Sequence, residues 1–272
     1  MNIVIIVISL ILGTAVLCGT GFLIGRKKAK GAVKVLVLTG AVLAEAAAAF
    51  AVYVNIYYKA DDTAVRYLSG ETGDVKVTVS DVEEGWLFDG PGSSQALIFY
   101  PGGKVETEAY SPLLCRIAER GIDCYLVDMP MNLAFFDINA ADSIISRKEY
   151  DNYCLAGHSL GGVAAAYYAA DNSDKLDGLV LLAAYSTKPV SSSLPCLSVY
   201  GSCDGVLNMK KYRSCAENLP LGTRVMEIEG GNHCQFGSYG LQRGDGEASV
   251  SASEQWDMTA DAVAELLFKK TA

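Results

Sequence analysis

Three residues that together can activate a hydroxyl nucleophile occur along the chain in the order Ser159, Asp204 and His233. Ser159 is the centre of Gly-His-Ser-Leu-Gly, a G-x-S-x-G pattern in which small residues allow a sharp turn between a strand and a helix. A serine hydroxyl is a poor nucleophile unless a base lies beside it, and that base needs a carboxylate to hold its tautomer. The three residue types therefore suit acyl transfer through a covalent serine intermediate.

The choice of base is narrow because the chain contains only two histidines. His158 directly precedes Ser159, and its side chain should point away from that of the serine. His233 follows Gly230 and Gly231 at the end of the last predicted strand, so it is the predicted general base. The alternative interpretation of the serine motif is a glycine-rich turn that packs tightly or binds a phosphate.

The carboxylate is predicted to be Asp204, in the stretch Gly-Ser-Cys-Asp-Gly that follows a strand ending at Tyr200. The order serine, aspartate, histidine differs from the orders in chymotrypsin and subtilisin. An ordinary Asp-Gly turn is the alternative interpretation of Asp204. Asp128, which also follows a predicted strand, is the alternative carboxylate.

Backbone amides must hold the negative charge that develops on the substrate oxygen. One predicted donor is the N–H of Leu160, at the start of the helix that carries the serine. The second is expected in the loop Pro-Gly-Gly-Lys at residues 101–104, where glycine lets the backbone approach a substrate. Gly103 is the favoured donor and Lys104 is the alternative. If the loop has no catalytic role, it is a plain Pro-Gly turn.

The elements that must position these residues alternate between short apolar runs and helical patterns. We predict strands at residues 96–100, 124–127, 152–156, 178–183, 196–200 and 224–228, and all but 124–127 and 224–228 are predicted to be buried. Helices are predicted at 106–120, 138–147, 160–170, 209–219 and 253–269. Two earlier strands, at 75–79 and 85–88, could form a hairpin. This alternation predicts an α/β fold with a mostly parallel sheet covered by helices on both faces. Chemistry in such sheets gathers at the carboxyl ends of the strands.

The link at residues 185–194 is too short to hold a cap domain over the site. We therefore expect an open site, bordered by residues 132–137 and 236–246. Such a site suits an acyl ester on a lipid, a cell-wall polymer or a small ester, and the sequence does not choose among them.

Two apolar runs, at residues 3–25 and 35–58, precede the globular part and enclose a basic cluster at 26–30. Because the basic residues follow the first run, that run is predicted to be a retained anchor rather than a signal peptide. A helical hairpin would make residues 1–60 a membrane anchor and residues 61–272 a catalytic domain outside the cytoplasm, since basic links stay inside. If the second run is instead a buried or surface helix, the catalytic domain is cytoplasmic.

The composition excludes some functions, and it allows more than one role for the cysteines. The formal net charge of −9 argues against nucleic-acid binding, which needs clustered lysine and arginine. Of the eight cysteines, Cys203 and Cys234 neighbour the predicted aspartate and histidine, so a disulfide between them is one possibility. Cys115 and Cys154 are expected in the core. A Cys/His metal site is disfavoured because the available histidine is assigned to the serine.

From about residue 96 onward, the chain resembles the α/β-hydrolase superfamily. More narrowly, it resembles a bacterial, often membrane-anchored group of α/β-hydrolases with no settled substrate. The shared stretches are YPGGKVE at 100–106, MPMNLA at 129–134, GHSLGG at 157–162 and GGNHCQFG at 230–237. The resemblance implies Ser159, Asp204 and His233 as a catalytic triad. Many of these hydrolases have His-Gly where this chain has Pro-Gly, which bears on the identity of the oxyanion donor.

The expected function is that of a serine esterase acting on carboxylic esters, with no cofactor. A peptidase or thioesterase with the same triad is the alternative within this class. A non-catalytic binding module with the hydrolase fold is the alternative from another class, and the presence of all three triad residues argues against it. The sequence gives no indication of oligomeric state.

Overall fold

The computed structural model describes residues 13, 15, 16, 19–21, 31–69, 76–92 and 94–268. These belong to two compact units, Met1–Tyr57 and Tyr58–Ala272. Most of the first predicted span, residues 3–25, lies outside the described residues, as does Val75 at the start of the first predicted strand.

The first unit contains helix α1, Gly31–Asn55, which is the one helix among the described residues that is long and apolar enough to cross a membrane. At 1.5 Å per residue its length is about 37 Å, against a bilayer hydrocarbon core of about 30 Å. It covers most of the second predicted span but ends before Tyr58. Glu45 lies so close to Gly13 that a Cβ on that glycine would be 2.5 Å from its Oε1. This contact brings the two predicted apolar runs together within the first unit.

The second unit is built on one eight-stranded sheet with the order β1-β2-β4-β3-β5-β6-β7-β8. Strands β1 and β2 pair antiparallel with each other, β2 pairs antiparallel with β4, and the remaining neighbours are parallel. The predicted α/β fold with a mostly parallel sheet is therefore confirmed. The strands are β1 Thr78–Val82, β2 Gly85–Asp89, β3 Gln95–Tyr100, β4 Asp123–Val127, β5 Asn152–His158, β6 Gly178–Leu182, β7 Cys196–Gly201 and β8 Arg224–Ile228.

Helices cover both faces of this sheet. Leu113, in the helix Ser111–Ala118, and Val263, in the helix Ala252–Phe268, belong to the apolar cluster on one face. The alanines of the helix Ser159–Asp171 belong to the cluster on the other face. Burial on both faces explains why β3, β4 and β6 are buried along their whole length. The helices are α2 Asp62–Leu68, α3 Ser111–Ala118, α4 Ala141–Ile145, α5 Ser159–Asp171, α6 Met209–Ser214 and α7 Ala252–Phe268.

Several predicted elements differ from those observed in length or position. The helix predicted at 106–120 is a 3₁₀ turn at Thr107–Tyr110 followed by α3, because Pro112 lies in the first turn of the α-helix. The helix predicted at 209–219 stops at Ser214 and continues as a 3₁₀ turn. The first strand begins at Thr78 and runs to Val82, where pairing with β2 sets its position.

The backbone is left-handed at several non-glycine residues, and most of them follow strand ends. Among the described residues, these have φ between 47° and 61° and come after β3, β4, β5 and β6, at the carboxyl edge of the sheet. They are Lys104, Met131, Asn132, Ser159 and Ala183. Residues 183–195, all described, contain no helix, so no cap is inserted between β6 and β7.

Candidate active site

Ser159 stands at a sharp turn between a strand and a helix, as the G-x-S-x-G pattern predicts. Strand β5 ends at His158 and helix α5 begins at Ser159, whose φ of 51° is uncommon for a residue with a side chain. The turn requires glycine at position 161, because the backbone of the loop after β3 lies directly against it. A Cβ there would be 2.1 Å from the carbonyl oxygen of Pro101. Ser159 is partly exposed and sits directly beside the loop that follows β3.

The structure brings His233 and Asp204 together at the carboxyl ends of β7 and β8. His233 Nδ1 lies 2.8 Å from Asp204 Oδ2, and each side chain is 1% exposed. Asp204 Oδ1 accepts the backbone N–H groups of Val206 and Leu207 at 2.8 and 2.7 Å, which fixes the carboxylate. The other candidate, Asp128, follows β4, and three strands separate β4 from β7. Asp204 is therefore the carboxylate that can hold the Nδ1–H tautomer of His233.

The hydrogen bond expected between the serine and the histidine is not made. Within residues 94–268, the buried Nε2 of His233 has no hydrogen-bond partner. The two residues nevertheless lie on adjoining segments, because the ring of His158 packs against the ring of His233 with centroids 4.5 Å apart. Catalytic hydrogen bonds are often long or misaligned in ligand-free enzymes and tighten on substrate binding.

Two backbone N–H groups of the predicted oxyanion loop donate hydrogen bonds to other groups of the protein and, among the described residues, a third does not. Gly102 N–H donates to Tyr110 Oη at 2.9 Å, and Lys104 N–H donates to Asn132 O at 2.8 Å. Within residues 94–268, Gly103 N–H has no such partner. A Cβ on Gly103 would be 2.6 Å from the side chain of Leu160. Leu160 is the second residue of α5, where backbone N–H groups lack an intrahelical acceptor. This arrangement favours Gly103 over Lys104 as the partner of Leu160.

Tyr110 and His158 form a buried support behind this loop that the sequence analysis did not predict. The Tyr110 hydroxyl accepts from Gly102 N–H and lies 2.8 Å from His158 Nδ1. Because Tyr110 is fully buried, its O–H proton is satisfied by donating to His158 Nδ1, which places the His158 proton on Nε2. Burial and the neighbouring His233 lower the pKa of His158 well below its usual value. His158 is thus a neutral packing partner of His233 rather than a second base.

Two further residues hold the histidine loop and were also missed. The Asp245 carboxylate accepts N–H groups from Gly205, His233 and Cys234 at 3.0, 3.3 and 2.8 Å. It therefore joins the loop that carries Asp204 to the loop that carries His233. Asp245 lies between two glycines, a pattern that sequence alone cannot distinguish from an ordinary turn.

The second of these residues is Gln255 of α7. Its Oε1 accepts Asn232 N–H at 3.0 Å, and its Nε2 donates to Asn232 O at 2.8 Å. Gln255 is fully buried and fixes both backbone groups of the residue preceding His233. It lies on the apolar face of a predicted helix, where a polar residue gave no signal of this role.

We expect Asp245→Ala to lower kcat for ester hydrolysis by about 10- to 100-fold, because a shift of about 1 Å in a catalytic group can have that effect. Hydrogen bonds to a charged group each contribute about 1.5–3 kcal/mol, so the free energy of unfolding should also fall. Steady-state kinetics and urea unfolding measure the two effects. Asp245→Asn, which keeps one acceptor oxygen, should recover part of kcat.

Asp261→Ala is the matched control for this variant. Asp261 is exposed and makes one surface ion pair, with Arg120, so its loss should change the free energy of unfolding by less than about 1 kcal/mol. Equal values of kcat for Asp245→Ala and the control would show that Asp245 does not position the site.

The cysteines beside the site do not form the disulfide that the sequence left possible. Cys203 and Cys234 are both free thiols. Cys234 is buried with its Sγ 3.5 Å from Asn232 Oδ1, and burial raises the pKa of its thiol to about 11. Cys115 and Cys154 lie in the core, as predicted.

A cavity of about 440 Å³ opens beside the histidine loop. Asp61, Gln235, Ser238 and Leu241 are among its lining residues. Neither Ser159 nor His233 lines this cavity.

Comparisons with known proteins agree with this fold. Residues 96–257, more than half of the chain, match the model of the alpha/beta hydrolase family. No curated protein sequence matches the chain significantly.

Solved structures share the fold at low sequence identity. The monoacylglycerol lipase of Paleococcus ferrophilus is 16% identical with a TM-score of 0.53, and the match covers 70% of this chain and 99% of the lipase. Est1E from Butyrivibrio proteoclasticus is 14% identical with a TM-score of 0.51, and the match covers 72% of this chain and 98% of Est1E. These likenesses concern the fold, while the match to the family model shows that the chain belongs to the alpha/beta hydrolase family.

Proposed function

We propose that this protein is a serine hydrolase that cleaves carboxylic esters through an acyl-enzyme on Ser159. The observation that carries the proposal is the buried pair of His233 and Asp204. Their 2.8 Å contact at Nδ1 orients the imidazole, and the other ring nitrogen, Nε2, has no partner within residues 94–268. Such an imidazole can accept the proton of a serine hydroxyl that lies on the adjoining turn.

The proposed reaction proceeds in two acyl-transfer steps. Ser159 Oγ attacks the ester carbonyl carbon, and its proton passes to His233 Nε2. The carbonyl oxygen becomes negative and accepts hydrogen bonds from the amides of Gly103 and Leu160. As the tetrahedral intermediate collapses, the alcohol leaves with the proton from Nε2. Water then attacks the acyl-enzyme, gives a proton to Nε2, and the acid is released as Ser159 regains its proton.

Asp204 acts on His233 in both steps. Its Oδ2 accepts the Nδ1–H group and stabilises the imidazolium that forms when Nε2 is protonated. With both side chains 1% exposed, water screens this interaction little.

An ester is the favoured substrate class. The names of proteins with this fold support it: one is a monoacylglycerol lipase, and Est1E has been solved with ferulic acid bound. The same triad would serve a peptidase or a thioesterase, and amide and thioester substrates test those alternatives directly.

We further propose that residues 1–60 anchor residues 61–272 to the cell membrane, with the catalytic unit on the extracytoplasmic side. The length and apolar sequence of α1 support the anchor. The basic residues 26–30 precede α1, and basic flanks stay in the cytoplasm, so the chain after α1 lies outside. Alkaline phosphatase fused after residue 60 would be inactive if this orientation were wrong.

Labelling with a fluorophosphonate probe tests the hydrolase proposal, because the probe reacts only with an activated serine. Wild-type protein should be labelled and Ser159→Ala should not. Ser192→Ala, at an exposed serine in the link between β6 and β7, is the control and should be labelled like wild type. A folded wild-type protein that is not labelled would favour a non-catalytic binding module.

A further inference from the structure

We propose that the substrate ester resides in a lipid bilayer, and that exposed apolar side chains around the site rest on that bilayer while the ester enters. We call these side chains the apolar rim; they are Met131, Phe135, Leu160 and Leu241. The inference rests on the hydrolase function and the membrane anchor proposed above, and it adds where the substrate is and which surface receives it.

The first observation is where the chain enters the second unit. Tyr58 pairs with the residues that directly follow the oxyanion loop. Its N–H donates to Lys104 O at 2.8 Å, and its carbonyl accepts Glu106 N–H at 2.8 Å. This forms a parallel bridge with Val105. The first residue of the unit is therefore fixed one residue away from Gly103.

The same segment also contacts the opposite side of the site. Tyr58 Oη accepts Arg243 N–H at 3.1 Å, and its ring lies 5.7 Å from that of Tyr239. Asp61 exchanges two hydrogen bonds with Ser238, of 2.9 and 2.7 Å. Residues 58–61 thus connect the oxyanion loop to the chain that follows His233.

The second observation is the short distance along the chain from α1 to this segment. Only Ile56 and Tyr57 separate Asn55, the last residue of α1, from Tyr58. A chain advances at most about 3.5 Å per residue, so three steps cover about 10 Å. If α1 spans a bilayer, the chain therefore reaches Tyr58 within three residues of the end of that span.

The third observation is the exposure of large apolar side chains on segments that adjoin the oxyanion loop and on the segment that contains Arg243. Met131 is 54%, Phe135 43%, Leu160 36% and Leu241 58% exposed. The first two lie in the loop whose Asn132 accepts Lys104 N–H, and Leu160 contacts Gly103. Large apolar side chains exposed together around one site are uncommon unless that surface meets a partner or a membrane.

The fourth observation concerns charge. Residues 58–62 and the residues bonded to Tyr58 carry equal numbers of positive and negative side chains, so this segment has no net charge to attract anionic lipids. The cations are Lys59, Lys104 and Arg243, and the anions are Asp61, Asp62 and Glu106. Vesicles of zwitterionic phosphatidylcholine are therefore the appropriate test surface.

The experiment uses the full chain reconstituted in phosphatidylcholine vesicles. Hydrolysis of dioleoylglycerol, which stays in the bilayer, is compared with hydrolysis of water-soluble p-nitrophenyl acetate. We expect the double variant Phe135→Ser/Leu241→Ser to hydrolyse dioleoylglycerol at least tenfold more slowly, with p-nitrophenyl acetate hydrolysis within twofold of wild type. The control is Leu221→Ser, at a fully exposed leucine before β8, which should match wild type on both substrates.

A second measurement locates the surface without relying on activity. Bilayers containing brominated phosphatidylcholine should quench the fluorescence added by Phe135→Trp at least twice as strongly as that added by Leu221→Trp. Equal quenching, or an equal loss of both activities in the double variant, would overturn the proposal. Wild type that hydrolyses only the soluble ester would also overturn it while leaving the esterase function intact. Wild type that hydrolyses neither ester and resists the fluorophosphonate would show that the hydrolase function itself is wrong.

Discussion

Replacing His233 with alanine is expected to lower kcat for ester hydrolysis by on the order of 10⁶-fold, the size of effect seen when one member of a serine triad is removed. Without the imidazole, no group can take the proton of Ser159. His158 cannot substitute, because its Nδ1 accepts a hydrogen bond from the Tyr110 hydroxyl, and because burial lowers its pKa and so disfavours its protonated form. Steady-state kinetics with p-nitrophenyl acetate measures the loss.

Non-additivity provides the control for this prediction. Because the serine and histidine act as one unit, Ser159→Ala/His233→Ala should be no slower than either single variant. Circular dichroism should show the same fold in all three. A folded His233→Ala enzyme that loses less than tenfold, or single losses that multiply in the double variant, would contradict the proposed roles.

Asp204→Asn is expected to lower kcat by about 10⁴-fold, since an amide cannot stabilise the imidazolium and can favour the wrong histidine tautomer. The side chain is almost the same size, and an amide oxygen can still accept the N–H groups of Val206 and Leu207. The variant should therefore fold, and kcat isolates the effect of the charge.

Asp128→Asn is the matched control, because Asp128 also follows a strand but lies after β4, far along the sheet from His233. Its kcat should stay within a few-fold of wild type. If Asp128→Asn had the larger effect, the assignment of the carboxylate would be reversed.

The sequence was sufficient to predict the class of fold and the positions of the proposed catalytic residues. Buried parallel strands are short and continuously apolar, so β3, β5 and β6 could be located closely. Strand β8 was located as well, although most of its side chains are exposed. The order of serine, aspartate and histidine then placed each after a strand. The contact between His233 and Asp204 follows from this placement, because β7 and β8 are neighbours.

The supporting contacts could not be predicted, because they join residues distant in sequence through common side chains. Nothing about Asp245 indicates that its carboxylate accepts the backbone N–H groups of Gly205, His233 and Cys234. Gln255 resembles any polar residue in a helix. His158 was expected only to point away from the serine; its contact with Tyr110 depends on how α3 packs against the sheet. The start of a helix also shifted where Pro112 lies in its first turn.

The predicted end of the anchor shows the same limit. Tyr58 was assigned to the apolar run at 35–58 from composition alone. Its backbone instead pairs with residues on either side of Val105, a contact 47 residues away in sequence. Long-range pairing of a single residue leaves no periodic signal.

The left-handed residues at the carboxyl edge of the sheet have a consequence for how the protein could become more heat-resistant. A non-glycine residue in this conformation is destabilising by about 1–3 kcal/mol, and Lys104, Asn132, Ser159 and Ala183 all lie at that edge. Glycine at such positions would relieve the strain, so the simplest stabilising substitutions fall around the site itself. Selection for thermal tolerance would therefore change residues around the proposed site early. A gain in heat resistance should then lower turnover more directly in this protein than in one whose strained residues lie far from the site.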